Sequence, residues 1–257
     1  MKIVVTGGSG ALGSQVVQRL RKGGADAIAA SRRTGFDLAT GVGLASVLAD
    51  ADVIVHAATH PTRYRKVDLD GTRRMISLLQ QRRPARPAPH LVYVSIVGCD
   101  RNPYPYYRAK YACELVLERS GLPVTVVRAT QFHSLLAMMF GAGSKVRVIP
   151  VVRGARFQPV SPADAAAVLL ETALEPAPVP DAGPRHRVLN LGGPESKDMA
   201  DFAREWQRAT GVKGQLVRLP LPGAMGRYLR EGLNLVPEAR HGNETFRGWL
   251  ENSADSL

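Results

Sequence analysis

An α/β fold built on a doubly wound parallel sheet is predicted by three features of this sequence. The chain opens on a β-branched run, Lys2-Ile3-Val4-Val5-Thr6, which feeds a glycine turn and then an apolar-periodic stretch over residues 14–22. Buried-strand patterns then alternate with amphipathic stretches for five or six rounds, the signature of parallel strands with helices on both faces. Finally, 257 residues, 45% of them hydrophobic, suffice for one large domain with a small appended lobe. The expected division is a Rossmann-type nucleotide-binding domain over residues 1–150 and a mixed part over 151–257. The latter partly rejoins the core and partly forms a small C-terminal substrate lobe.

The glycine turn is the first element with a chemical reading. Gly7, Gly8, Ser9, Gly10, Ala11, Leu12 and Gly13 carry glycine at every third position. One glycine makes the tight turn, one lets the backbone approach a pyrophosphate, and one lets helix pack on strand. The pyrophosphate sits on the open N–H groups and positive dipole end of the helix that follows. The second strand, residues 25–30, ends in Ser31, Arg32 and Arg33. An acid here takes the ribose hydroxyls of NAD, whereas arginine accommodates the 2′-phosphate of NADP. The absence of an acid, the serine donor and the arginines favour NADPH/NADP+ over NADH.

The rest of the chain follows in order. Phe36-Asp37-Leu38 begins a turn, and a weak helix spans 43–49. Residues 52–56 form a buried strand ending in Ala57-Ala58-Thr59-His60, where small side chains suit close approach of a ligand. His56 and His60 have no obvious catalytic partner and are expected to be solvent-facing or hydrogen-bonded loop histidines. A helix over 68–83 carries Met75, Ile76, Leu78 and Leu79, and Pro84, Pro87 and Pro89 stiffen the loop after it. A strand over 90–95 precedes a helix that starts near Pro103-Tyr104-Pro105 and runs to about 120, then a strand over 124–128. Beyond residue 134 the rhythm changes. A short helix is expected at 135–140, and further helices at 162–174, 196–210, 223–235 and 237–251. Strands are expected at 146–149, 156–160, 188–191 and 216–219, a Pro- and Gly-rich loop at 175–187, and a frayed tail at 252–257.

Tyr106 and Lys110 lie four residues apart, hence on one helix face. A phenol ordinarily ionises near pH 10. A lysine one turn away lowers that value and makes the phenol a usable proton donor and acceptor. Ser95, at the end of the adjacent strand, is placed to hydrogen-bond a substrate oxygen. Tyr107, at i, i+3 from Lys110, is the reserve candidate. Phe132, His133, Leu136, Met139 and Phe140 offer an apolar, Met-containing wall for an aromatic or polyketide-like substrate, with core packing an equal alternative for Leu136 and Met139.

Composition excludes other classes. The net charge of +12 comes mostly from scattered arginines. The dense groups are Arg32-Arg33 and Arg82-Arg83 with Arg86, with no basic reading helix, so nucleic acid is not an expected partner. The two cysteines, Cys99 and Cys113, lack metal-ligand spacing, which predicts no metal site and a reduced, cytoplasmic protein. The chain opens directly on a core strand rather than a signal peptide, and no apolar run reaches membrane-spanning length.

Four segments together resemble the short-chain dehydrogenase/reductase superfamily, and more narrowly its atypical, NmrA-like NAD(P)H-binding branch. They are Thr6 to Gly13, Val94-Ser95-Ile96-Val97-Gly98, Tyr106-Tyr107-Arg108-Ala109-Lys110, and Arg128-Ala129-Thr130-Gln131-Phe132-His133. The resemblance covers residues 1–174 well and the remainder in layout. It implies that the pyrophosphate lies on Gly7 to Gly13 and the adenosine phosphate on Ser31, Arg32 and Arg33. It further implies Asp37 and Leu38 beside the adenine, Ala57, Ala58 and Thr59 along ribose and pyrophosphate, Lys110 on the nicotinamide ribose, and Ala129 and Thr130 beside the nicotinamide. The expected activity is NADPH-dependent reduction of a small carbonyl, quinone or polyketide-like aromatic substrate. The alternative is an NADP(H)-binding redox sensor of NmrA type without turnover, and a nucleotide-sugar epimerase or dehydratase is a third reading. A homodimer through exposed helices is common in the superfamily.

Overall fold

The computed structural model describes residues 1–81, 87–143, 147–178 and 186–253. The Arg82-Arg83-Arg86 cluster, Pro84, the first residue of the strand expected at 146, most of the Pro/Gly-rich loop and the last four residues lie outside them. The first half of the chain runs β1 (Lys2–Thr6), α1 (Ala11–Lys22), β2 (Asp26–Ala30), α2 (Leu44–Leu48), β3 (Val53–His56), α3 (Asp70–Gln80), β4 (His90–Ile96), α4 (Pro105–Glu118) and β5 (Val124–Ala129). There follow α5 (His133–Gly141), β6 (Val148–Val152), β7 (Arg156–Phe157), α6 (Pro162–Leu174) and β8 (His186–Leu191). The chain closes with β9 (Lys197–Asp198), α7 (Met199–Thr210), β10 (Gln215–Leu219), α8 (Gly223–Arg230) and α9 (Phe246–Ser253).

The chain folds into two compact units. The first comprises Met1–Ser95, Pro105–Arg128 and Ala166–Leu189; the second comprises Ile96–Tyr104, Ala129–Ala165 and Asn190–Leu257. The parallel six-stranded sheet has the order β2-β1-β3-β4-β5-β8. Its register places Ile3 between Ala27 and Val53, and Val53 opposite His90. The order reverses at β1, so the glycine turn leaves the sheet at a topological switch point, where ligands of such sheets bind. Strand residues Val4, Ile54, Leu91 and Val126 pack with Met75 and Leu79 of α3 and Leu117 of α4 in one apolar cluster. The near-continuous apolar strands are what a sheet covered on both faces requires. Cys113 lies in this cluster, and Cys99 is buried as well.

The second unit carries two small sheets, a parallel pair of β10 and β6 and an antiparallel pair of β7 and β9. Its core gathers Leu136, Phe140, Phe202, Trp206 and Phe246, with Phe202 and Phe246 edge to face at 5.4 Å.

Several boundaries differ from the sequence expectation, each for a local reason. The helix expected over 68–83 is preceded by a wider π-helical turn, Arg65–Leu69, and α3 itself starts at Asp70. The strand expected over 156–160 stops at Phe157, because Pro159 has no N–H to give a ladder. Val160 makes only an isolated bridge to Phe132. The helix expected over 223–235 ends at Arg230, and Gly232 turns the chain with φ +67°. The helix expected over 237–251 forms only from Phe246, since the residues before it bridge Gly192 through Arg240 and turn at Gly242.

Candidate active site

The glycine turn is built by steric necessity. Gly7 has φ +71°, and a Cβ on Gly13 would lie 2.3 Å from the Gly7 carbonyl oxygen. The turn therefore closes only on a bare backbone. Gly10 N–H donates to the Gly7 oxygen at 2.8 Å and Ser14 N–H to the Gly10 oxygen at 2.9 Å. No side chain caps the N-terminus of α1, and Ser9, Gly10 and Ala11 are exposed there, while Leu12 is half-buried. Ala57 and Ala58 face the turn: Ala58 Cα would be 2.8 Å from a Cβ on Gly7. Gly8 packs as closely on Ala29.

At the end of β2, Ser31 N–H donates to Thr34 Oγ1 at 2.9 Å. The Ser31 hydroxyl is buried without a partner, whereas Arg32 and Arg33 are exposed on the turn beside it. Asp37 Oδ1 accepts the Ala39 N–H at 2.8 Å, and Leu38 is buried in the core with its carbonyl taking Arg74 at 2.9 Å.

The second constellation gathers on α4, the π-helical turn and the end of β4. Lys110 Nζ is 3% exposed at residue level and donates to the Val94 carbonyl at 2.9 Å. It lies 3.6 Å from Asp68 Oδ1 and 4.8 Å from the centre of the Tyr93 ring. Burial alone would depress its pKa, but Tyr106 and Asp68 outweigh burial and raise it, so Lys110 is a fixed ammonium. Tyr106 Oη lies 2.8 Å from Thr59 Oγ1, which donates to Asp68 Oδ1 at 2.5 Å. Asp68 Oδ2 accepts the His60 N–H at 3.1 Å. The Tyr106 ring is held edge-on by Tyr64 and Tyr107 at 6.2 and 6.0 Å. Of the two tyrosines open at the sequence level, Tyr106 is therefore the one joined to the Thr59–Asp68 pair. Ser95 is buried on β4, directly after the Val94 carbonyl that holds Lys110.

Asp68 is the site residue that sequence reasoning missed. Its signal was present: Asp68, Thr72, Met75, Ile76 and Leu79 are all buried, so an acid occupies the apolar face of the helix. His56 is no loop histidine either. It ends β3 with Nδ1 at 2.6 Å from Thr6 Oγ1 and Nε2 at 3.0 Å from Thr72 Oγ1. Burial and then Lys110 push its pKa down to about 3, so it stays neutral. His60 is half-buried, and its Nδ1 accepts the Arg63 N–H at 3.1 Å.

The remaining candidates belong to the second unit, which the chain enters at Ala129, the last residue of β5. Ala129 is buried, and Thr130 donates its hydroxyl proton to the Gln158 carbonyl at 2.5 Å. Phe132 and Met139 are half-buried. Leu136 and Phe140 have no exposed surface and pack in the aromatic core. His133 is equally buried, its Nε2 on the Pro159 carbonyl at 3.1 Å and its ring edge-on to Phe246; burial holds its pKa down. Among the described residues no His, Cys, Asp and Glu cluster could hold a metal, and no helix is long and apolar enough to cross a membrane.

A parallel sheet with a glycine turn at its switch point and a tyrosine–lysine pair beyond defines a Rossmann-type, nicotinamide-dependent oxidoreductase. The profile of the NAD dependent epimerase/dehydratase family matches residues 3–134, and the chain belongs to that family, within the short-chain dehydrogenase/reductase superfamily. No curated protein sequence matches the chain. Among solved structures it is similar to MoeE5 in complex with UDP-glucuronic acid and NAD, at 18% identity and TM-score 0.76 over 100% of both chains. It is likewise similar to a UDP-glucose 4-epimerase from Thermotoga maritima with UDP-glucose, at 16% identity and TM-score 0.73 over 100% of both. A dTDP-4-dehydrorhamnose reductase from Clostridium acetobutylicum aligns at 17% identity and TM-score 0.65, over 86% of this chain and 84% of that one.

Proposed function

We propose that this protein is an NADPH-dependent reductase of a small carbonyl, quinone or polyketide-like aromatic substrate, of the NmrA-like branch. The observation that carries the reading is the Tyr106 phenol, which lies 2.8 Å from Thr59 Oγ1 and is carried on the same helix, α4, as the buried Lys110 ammonium. The chain fits the cofactor in two places. The turn of Gly7 to Gly13 has no room for a side chain at Gly7, Gly8 or Gly13, and the N-terminus of α1, which no side chain caps, would offer its N–H groups to a pyrophosphate. The unpartnered Ser31 hydroxyl with the exposed Arg32 and Arg33 matches a 2′-phosphate, which guanidinium groups bind by charge-assisted bonds.

When bound, a reduced nicotinamide supplies hydride to the substrate carbon. Tyr106 delivers its proton to the oxygen as negative charge develops there. Lys110, its ammonium already fixed by Val94 and Asp68, orients the cofactor ribose and stabilises the charge on the phenol. Ala57 and Ala58, which face the glycine turn, would lie along the cofactor.

NADPH oxidation followed at the nicotinamide absorbance band tests the reading against a panel of quinones, aromatic ketones and flavins. Tyr106→Phe is expected to lower kcat about 100-fold. Arg32→Ala with Arg33→Ala is expected to abolish the preference for NADPH over NADH. The family match favours a second substrate class, nucleotide sugars, so UDP- and dTDP-sugars belong in the panel. Turnover of those alone would overturn the apolar-substrate reading. Tight NADPH binding with no turnover anywhere would overturn the enzyme reading in favour of a redox sensor.

A further inference from the structure

We infer that Asp68, acting through Thr59, is the internal proton acceptor for Tyr106, which equips the site to withdraw the hydroxyl proton of a substrate alcohol. The inference deepens the proposed function and rests on Tyr106 being its proton-transfer group.

The direction of the hydrogen-bond chain follows from counting protons. A threonine hydroxyl has one proton to give, and a carboxylate only accepts. Thr59 gives its proton to Asp68 Oδ1 at 2.5 Å. The 2.8 Å contact between Tyr106 and Thr59 must then run from the phenol to the threonine oxygen. Every proton in the chain points inward, from the half-buried Tyr106 toward a carboxylate that is 1% exposed. Asp68 is held there by the His60 N–H and by Lys110, and it reaches the site because the π-helical turn inserts it ahead of α3. Such turns cluster at functional sites. Thr59 is exposed, so the chain also meets solvent.

The other titratable groups around the carboxylate do not compete for the proton. Lys110 is held as an ammonium. Burial keeps the Tyr93 phenol and the Cys113 thiol protonated. His56 is a poor base, with its pKa near 3.

The step balances in atoms and electrons. The substrate O–H bond breaks and an O–H bond forms on Tyr106. The original phenolic proton passes to Thr59, and the Thr59 proton passes to Asp68, which becomes a neutral carboxylic acid. The substrate C–H bond breaks with its electron pair, leaving a carbonyl and reducing an oxidised nicotinamide cofactor. Asp68 then loses its proton to solvent through Thr59. Carbonyl reduction runs the same transfers backwards.

Two measurements on the 257-residue chain test this. The first needs neither cofactor nor turnover: NMR of the protein with 13C-labelled tyrosine ring carbons, with Tyr106 assigned by its loss in Tyr106→Phe. Thr59→Val and Asp68→Asn are each expected to move the Tyr106 Cζ resonance, and Thr59→Ser to restore it. The second is alcohol oxidation in mixtures of H2O and D2O. The wild type is expected to give a curved dependence of kcat on deuterium content, since several protons move together. Thr59→Val is expected to give a straight line, with kcat lower by about tenfold and KM unchanged. A Thr59→Val protein with the wild-type resonance, or with the wild-type kcat and curvature, overturns the inference. If no carbonyl or alcohol is turned over, the proposed function fails, and the NMR comparison alone decides whether the chain exists.

Discussion

Lowering the pH from 7 to 5 is expected to remove about 2 kcal/mol of stability through His56 alone. Its ring accepts or donates at both nitrogens, to Thr6 on β1 and Thr72 on α3, and it has almost no contact with solvent. Burial and the neighbouring Lys110 hold its pKa down to about 3, against an ordinary 6.5. Between those values the unfolded chain binds a proton that the folded chain refuses. Stability is therefore present above about pH 6.5 and is lost as the pH falls toward 3. At pH 5 the histidine is about 1.5 pH units below its unfolded value, worth about 2 kcal/mol at about 1.4 kcal/mol per unit. His90, on β4, is pushed down to about 4 by burial first and Arg187 next, and adds a similar loss at pH 5. Together they amount to about 4 kcal/mol, a large part of the 5–15 kcal/mol typical of a folded protein. Urea unfolding at pH 7, 6 and 5 measures this. The wild type is expected to lose about 2 kcal/mol more than His56→Gln between pH 7 and 5. Equal losses in the two proteins would refute the assignment of a neutral, proton-refusing His56.

Two further outcomes follow from the geometry. Gly13→Ala places a methyl group 2.3 Å from the Gly7 carbonyl. The turn must open, so cofactor affinity, read by fluorescence titration, is expected to fall at least tenfold, with stability down by about 1–3 kcal/mol. Unchanged affinity would show that the turn does not hold the pyrophosphate. Glu114 on α4 accepts Arg128 at 3.1 Å and 2.6 Å, with its side chain 4% exposed. Glu114→Ala is expected to cost about 3 kcal/mol in urea unfolding, because it strips a partly buried guanidinium of its counter-charge. A cost under about 1 kcal/mol would mean that solvent already screens the pair.

Much of the first unit was legible because its signals are local. The run from Lys2 to Gly13 encodes strand, turn and helix start in consecutive residues. The close approaches at Gly7 and Gly13 explain why glycine stands there. Tyr106 and Lys110 could be paired because α4 is a regular helix and four residues return to the same face. By contrast, the stretch before Phe246 is read as helix from its composition, yet Gly242 packs its backbone against the Asp164 side chain and the helix begins later.

The sequence by itself determined the α/β class, the glycine turn and the tyrosine–lysine pair, since each depends on the spacing of a few neighbouring residues. Only the tertiary structure decided which groups surround that pair. Asp68 meets Lys110 across 42 positions and Thr59 meets Tyr106 across 47, and a single π-helical turn sets the face that Asp68 occupies. It also decided that Leu136 and Phe140 belong to the aromatic core of the second unit. An apolar side chain obeys the same helical period whether it faces a core or a ligand. The period fixes its direction, and only the packing of distant segments says what lies there.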